Sequence, residues 1–212
     1  MPLSYQYKII FLHIAKNSGT SVCTWLNINE SEENYYLQYY KYNNCCALQH
    51  MTYNQLKSSI NEKIFNNYIK FTIVRNPWDK IVSTYEWRKK LNNNVDIKFK
   101  DFIKFIYKLY KTYDGLENLN NYPNFSTYFC AHFYPQYLYL PNDTSCNDFY
   151  LLRFENLNED IKKIGSIINN HKKLPHINQS NNKNYQNYYD EESKKMIEEM
   201  YKKDIKIFNY SF

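Results

Sequence analysis

Three times along this chain a short apolar run of strand length ends in a polar turn and gives way to apolar residues at helical spacing. The first is "YKIIFLHI" (7–14), rich in β-branched and aromatic residues. A loop over 15–21 follows, then Val22, Trp25 and Leu26 on one helical face, with Thr20 or Ser21 available as the cap. The second is "YIKFTIV" (68–74), followed by Arg75, by Asn76 as N-cap, by Pro77 at the first helical position, and by Ile81, Val82 and Tyr85 on an apolar face. The third, "FYLLRF" (149–154), leads into a helix over 156–168 with Ile161, Ile164 and Ile168 on one side. Strands that alternate with helices predict an α/β fold built on a parallel sheet. Between the second and third units, 100–111 reads as an amphipathic helix and 112–147, with Pro123, Pro135 and Pro141, as irregular. Residues 178–189 are poor in aliphatics and read as a loop, and a final helix carries Ile197, Tyr201, Ile205 and Phe208. No internal repeat and no long linker interrupts the 212 residues, which suit one domain, 1–212.

Composition narrows function less than pattern does. Tyr, Asn, Ile and Lys crowd out Ala, Gly and Arg, as AT-rich codons would produce, so the 24 tyrosines are not by themselves a binding signal. A formal charge of +6 suits an anionic small ligand, an acidic polymer or nucleic acid without choosing among them. Basic residues are scattered rather than gathered in a stripe, which argues against nucleic acid as the partner. The five cysteines form no CxxC pair and an odd set, so neither a zinc site nor a disulfide framework follows. The apolar stretch 9–12 is too short for a signal sequence or a membrane span, and a soluble, cytoplasmic protein is the expectation.

At the carboxyl end of a strand in an open α/β sheet, a loop leading into a helix presents unpaired N–H groups to an anion. Lys16 adds a full charge to the loop "AKNSGTS" (15–21), Ser18, Thr20 and Ser21 add hydroxyls, and Gly19 allows close approach of backbone. The lysine precedes Gly19 by three residues and no GK[ST] occurs, so this is not a Walker A loop. An ordinary strand-to-helix turn with a solvated lysine is the competing reading. Arg75 stands at the second strand end and Ser83 two helical turns beyond it. A guanidinium there can fork onto a second phosphate, or it can pair structurally with Asp79. Two anion-ready strand ends suggest a ligand with two separated anionic groups.

"HIAKNSGTS" (13–21) followed by "FTIVRNPWDKIVSTY" (71–85) resembles the paired signatures of PAPS-dependent sulfotransferases. The resemblance is in particular to the carbohydrate-type group that includes the heparan and uronyl 2-O-sulfotransferases and the chondroitin and HNK-1 enzymes. "LLRFENLNEDIKKI" (151–164), "LPHIN" (174–178), "YYDEES" (188–193) and "DIKIFNYSF" (204–212) resemble later segments of that group in the same order. The resemblance implies a three-layer, P-loop-NTPase-like sulfotransferase fold with a central parallel sheet flanked by helices. It implies that Lys16, Asn17, Ser18, Gly19, Thr20 and Ser21 hold the 5′-phosphosulfate of 3′-phosphoadenosine 5′-phosphosulfate (PAPS). Arg75 and Ser83 would hold the 3′-phosphate, and Lys183 would lie in a loop near it. PAP would leave as product, no metal would be needed, and the acceptor would be a hydroxyl, on a glycan in the first instance. Ala15 and Asn17 stand where the group usually has Pro and Thr, which would make this loop less rigid.

Sulfuryl transfer needs charge stabilisation on the bridging oxygen and a base for the acceptor hydroxyl. Lys16 suits the first role. For the second, His50 in "QHMTYNQL" (49–56) leads, in a segment similar to one that related enzymes carry between the two nucleotide motifs, with His13, His132 and Glu86 as rivals. Two other readings stay open: a nucleotide kinase, disfavoured by the missing GK[ST], and a non-catalytic protein that grips an anionic glycan or nucleic acid.

Overall fold

The computed structural model describes residues 3–28, 48–91, 97–121, 130–142, 148–177 and 184–212. In chain order these form β1 (Leu3–Ser4), β2 (Ile9–Leu12), α1 (Gly19–Trp25), α2 (Tyr53–Ser59), α3 (Glu62–Asn67), β3 (Ile69–Val74), α4 (Pro77–Leu91) and α5 (Phe99–Thr112). They continue with β4 (Phe149–Arg153), α6 (Leu157–Ile168), α7 (Glu191–Met200) and α8 (Lys202–Phe208). The chain divides into two compact units, one of residues 1–74 and 138–178 and the other of 75–137 and 179–212.

The first unit is built on a four-stranded sheet in the order β1-β2-β3-β4. β2, β3 and β4 run parallel, with Leu12 opposite Thr72 and Thr72 opposite Leu151. The expected parallel sheet is thus present, but it is mixed: the two-residue β1 pairs antiparallel with β2. All four residues of β2 are buried, as a central strand covered on both faces requires. Alternate residues Ile9, Phe11, Phe71, Ile73 and Leu152 pack with Val22 and Trp25 of α1 and Leu157, Ile161 and Ile164 of α6. The first strand is shorter than the predicted 7–14 because the backbone leaves the ladder at His13.

With only three glycines in the chain, asparagine takes the left-handed positions that end helices. Asn27, Asn169 and Asn209 have φ of 52°, 54° and 52°. Each is followed by a residue whose N–H reaches back five residues: Ile28 to Cys23 at 2.9 Å, Asn170 to Gly165 at 2.8 Å, Tyr210 to Ile205 at 3.1 Å. Asparagine tolerates this region better than other residues with a Cβ, so the helix-ending motif survives without glycine.

The second unit is helical among its described residues. α4 begins as predicted: the Asn76 side chain accepts from Trp78 N–H at 3.1 Å, and Pro77 occupies the first helical position. The single final helix expected from Ile197, Tyr201, Ile205 and Phe208 is instead two, α7 and α8. The break falls at Tyr201, whose φ and ψ are −112° and 23°. Its buried hydroxyl donates to the Phe133 carbonyl at 2.8 Å, which fixes the bend without proline. The region expected to be irregular contains 3-10 turns at Leu116–Asn121 and Gln136–Tyr139. Among the described residues no helix is long and apolar enough to cross a membrane.

Gly165 tests the packing of α6. A Cβ there would lie 2.5 Å from the Asn170 carbonyl oxygen and 3.5 Å from Trp25 Cζ2. Helix propensity would favour Gly165→Ala by about 1 kcal/mol, but displacing backbone costs about 1–3 kcal/mol. The expected net outcome is a loss of stability, read as a lower midpoint in urea unfolding; a gain would mean that α6 can move away.

Candidate active site

In the first unit the loop after β2 carries the sequence-predicted donor residues. Lys16 and Ser18 have φ of 70° and 64°, so two side chains accept left-handed backbone within three residues. Such turns gather N–H groups into a concave surface that suits an anion. α1 has two turns only, which leaves the loop itself, the Lys16 ammonium and the hydroxyls as the main attraction. Ser18 is at the N-cap position, two or three residues before the expected cap, and its side chain makes no capping bond. Thr20 is exposed, while the Ser21 hydroxyl accepts from Ile177 N–H at 3.2 Å.

Asn17 is fully buried, and its side-chain amide donates to the Ile73 carbonyl at 2.7 Å. Its N–H donates to the Ile14 carbonyl at 3.3 Å. The residue expected to loosen the loop therefore ties it to β3, and losing that bond would leave a buried carbonyl unsatisfied at a cost of about 1–3 kcal/mol.

Gly19 has a different task from the one the sequence suggests. A Cβ on it would fall inside the His13 imidazole. The hydrogen at Cα thus makes room for a ring rather than for an anion. That ring stacks on Phe11 at 5.4 Å between centroids and meets the His50 ring at 4.5 Å. His50 is buried at 2% exposure, and its Nδ1 lies 2.9 Å from the His13 carbonyl oxygen. A carbonyl can only accept, so Nδ1 carries the proton and Nε2 the lone pair in neutral His50. The Tyr139 hydroxyl donates to the His50 carbonyl at 2.9 Å and holds the backbone. Thr52 and Gln55 form a capping box that starts α2 directly after this histidine. Lys16, His13, Gly19 and His50 are thus linked through one strand end and its loop.

In the second unit Arg75 is 5% exposed and its Nε donates to Asp79 Oδ2 at 2.7 Å, the pairing the sequence offered as an alternative. Ser83 is buried in α4. The Gln136 side chain brackets the Arg75 backbone, accepting from its N–H at 2.9 Å and donating to its carbonyl at 2.7 Å. Asp204 accepts from the N–H groups of Gln136 and Tyr137 at 2.8 and 2.9 Å. Burial pushes the Asp204 carboxyl up to about 6 against the pull of those two bonds and of Lys80. The same burial brings Lys80 down to about 8, with Asp204 opposing the shift and Arg75 adding to it. Lys80 Nζ donates to the His132 carbonyl at 2.8 Å.

Of the rival bases, His13 meets His50 itself, and the other two have partners within the second unit. The His132 ring is buried flat against Trp87, 4.4 Å away and tilted by 11°, and Glu86 accepts from the Tyr188 hydroxyl at 3.1 Å. Lys183, Cys45, Cys46 and Cys146 lie outside the described residues, while Cys23 and Cys130 are buried.

A model of the sulfotransferase family matches residues 3–211. The chain belongs to the sulfotransferase family. A protein of Archaeoglobus fulgidus, described only as uncharacterized, is 35% identical over 49 residues, which cover 23% of this chain and 41% of that relative's length. No solved structure shows a significant match. For this sulfotransferase-family chain, sequence patterns singled out the loop, Arg75 and His50 as candidates and offered Asp79 as a partner for Arg75, but missed Gln136, Asp204 and the His13 carbonyl. Gln136 and Asp204 carry no motif-level signal of such a role: one sits in an irregular stretch, the other in a helix whose face gives only its packing.

Gly19→Ala is expected to displace the His13 ring and with it the His50 contact. The expected signature is a shift of both imidazole resonances in NMR spectra of the folded variant. Unchanged resonances would mean that the ring and loop accommodate a methyl group without rearrangement.

Proposed function

We propose that this protein transfers a sulfuryl group from PAPS to a hydroxyl of a carbohydrate acceptor. One observation carries the reading: the His13 carbonyl fixes His50 with its proton on Nδ1, next to the strand-end loop that carries Lys16. Family membership supplies the reaction class, and the order of motifs along the chain supports the carbohydrate-type acceptor.

The residues fit the donor. The loop 15–21 offers an ammonium, two left-handed turns and the Ser18 hydroxyl to a phosphosulfate, and Arg75 with Ser83 offers donors to a 3′-phosphate. Asn17 and Ser21 serve the same site as braces through Ile73 and Ile177. In the reaction the acceptor oxygen forms a bond to sulfur as the bond from sulfur to the bridging oxygen breaks. His50 Nε2 takes the hydroxyl proton, and the electron pair left on the bridging oxygen is stabilised by Lys16. His13 acts through His50 as its positioning residue.

Two substitutions test this with PAPS as donor and a panel of glycans as acceptors. Lys16→Ala is expected to lower kcat by about 10²-fold or more through lost charge stabilisation, with the unfolding midpoint unchanged. His50→Asn places an amide donor near the His13 carbonyl but has no basic nitrogen. Its expected effect is a kcat loss of about 10²–10⁴-fold with bisphosphate affinity retained. Turnover at the wild-type rate in His50→Asn would move the base to another residue, and unchanged turnover in Lys16→Ala would remove the loop from the chemistry.

A further inference from the structure

Arg75 follows the last residue of β3, where the backbone N–H and C=O leave the ladder and need new partners. The Gln136 side chain meets both, with Oε1 2.9 Å from the Arg75 nitrogen and Nε2 2.7 Å from its carbonyl oxygen. A primary amide holds donor and acceptor side by side, as the peptide edge of a neighbouring strand would. Gln136 has no exposed surface, so water cannot stand in for it. A carboxylate would meet the carbonyl with a second acceptor, and an aliphatic side chain would satisfy neither group.

What seats Gln136 is equally specific. Its own N–H and that of Tyr137 donate to the two oxygens of Asp204, also fully buried. Both oxygens on two consecutive N–H groups fix the backbone from which the Gln136 side chain extends. With Nε tied to Asp79, the arginine is held at its backbone on one side and along its side chain on the other. The rotamer freedom that an arginine surrenders on meeting a ligand is thereby largely removed in advance.

We propose that Gln136, seated by Asp204, is a positioning residue for Arg75 and sets the backbone from which its guanidinium meets the 3′-phosphate of the nucleotide. The proposal rests on the reading of Arg75 as the partner of that phosphate.

Calorimetric titration of the full chain with adenosine 3′,5′-bisphosphate and, by displacement, with adenosine 5′-monophosphate measures the preference for the 3′-phosphate. The variants are Arg75→Ala, Gln136→Leu, their combination, and Asp204→Asn. Gln136→Leu is expected to reduce the preference about tenfold while changing monophosphate affinity less than about twofold. In the Arg75→Ala background it should reduce the preference no further, because the two residues act as one unit. Asp204→Asn keeps the volume and removes one acceptor; a smaller loss of the same selective kind is expected, and this variant carries the test if Gln136→Leu does not fold. Equal weakening of both nucleotides, or an undiminished effect without Arg75, would reduce Gln136 to general scaffolding and overturn the proposal. Arg75→Ala that loses the preference while the other two variants keep it overturns the positioning role alone. Arg75→Ala that keeps the preference overturns the reading of Arg75 itself.

Discussion

The parallel pairing of β2 with β3 is the constraint on which the loop at 13–21 depends. Leu12 lies opposite Thr72, and the Thr72 hydroxyl donates to the Leu12 carbonyl at 2.7 Å, so the two strands are tied at the point where β2 ends. One step further, Asn17 reaches across to Ile73. A slip of one residue would exchange the two faces of the sheet, turning Phe11 away from the core that holds α1 and α6. It would also carry His13, stacked on Phe11, away from His50. The geometry of the candidate base is therefore inherited from strand register, through Phe11, His13 and the carbonyl that fixes His50.

The two units fix their candidate site residues by different physics. In the first, flat rings pack on one another and a glycine leaves them room. In the second, the work is done by buried polar groups: Arg75 with Asp79 and Gln136, and Asp204 with two N–H groups near the Lys80 charge. Buried charges seldom repay their desolvation as net stability, and a well-packed apolar replacement is often as stable. Their presence here fits the orienting role proposed for the groups around Arg75.

Much of this was legible in the sequence, and the reasons are local. Strand cores at 9–12, 69–74 and 149–153 declare themselves through β-branched and aromatic runs, and the start of α4 through Asn76 and Pro77. Arg75 stands out because it directly follows an apolar strand, and Lys16 because it is the first lysine or arginine after the apolar run that contains β2. What sequence could not yield were contacts made by long-range partners. The bend at Tyr201 depends on the Phe133 carbonyl, 68 residues away, and the bracing of Arg75 on an amide 61 residues on. The function given to Gly19 was misread for the same reason: a missing Cβ indicates that something comes close, not what does. Asn17 looked like a loss of stiffness because its partner, the Ile73 carbonyl, is invisible to local pattern.

The imidazole lodged over the bare Cα of residue 19 makes positions 13 and 19 a single volume shared by two side chains. Neither can change size alone. A chain that gained bulk at 19 would have to shed it at 13, and in doing so would surrender the ring that backs His50. Drift at these two sites should therefore be correlated, and a member of the family with a larger residue at 19 should have found another way to steady its proton acceptor.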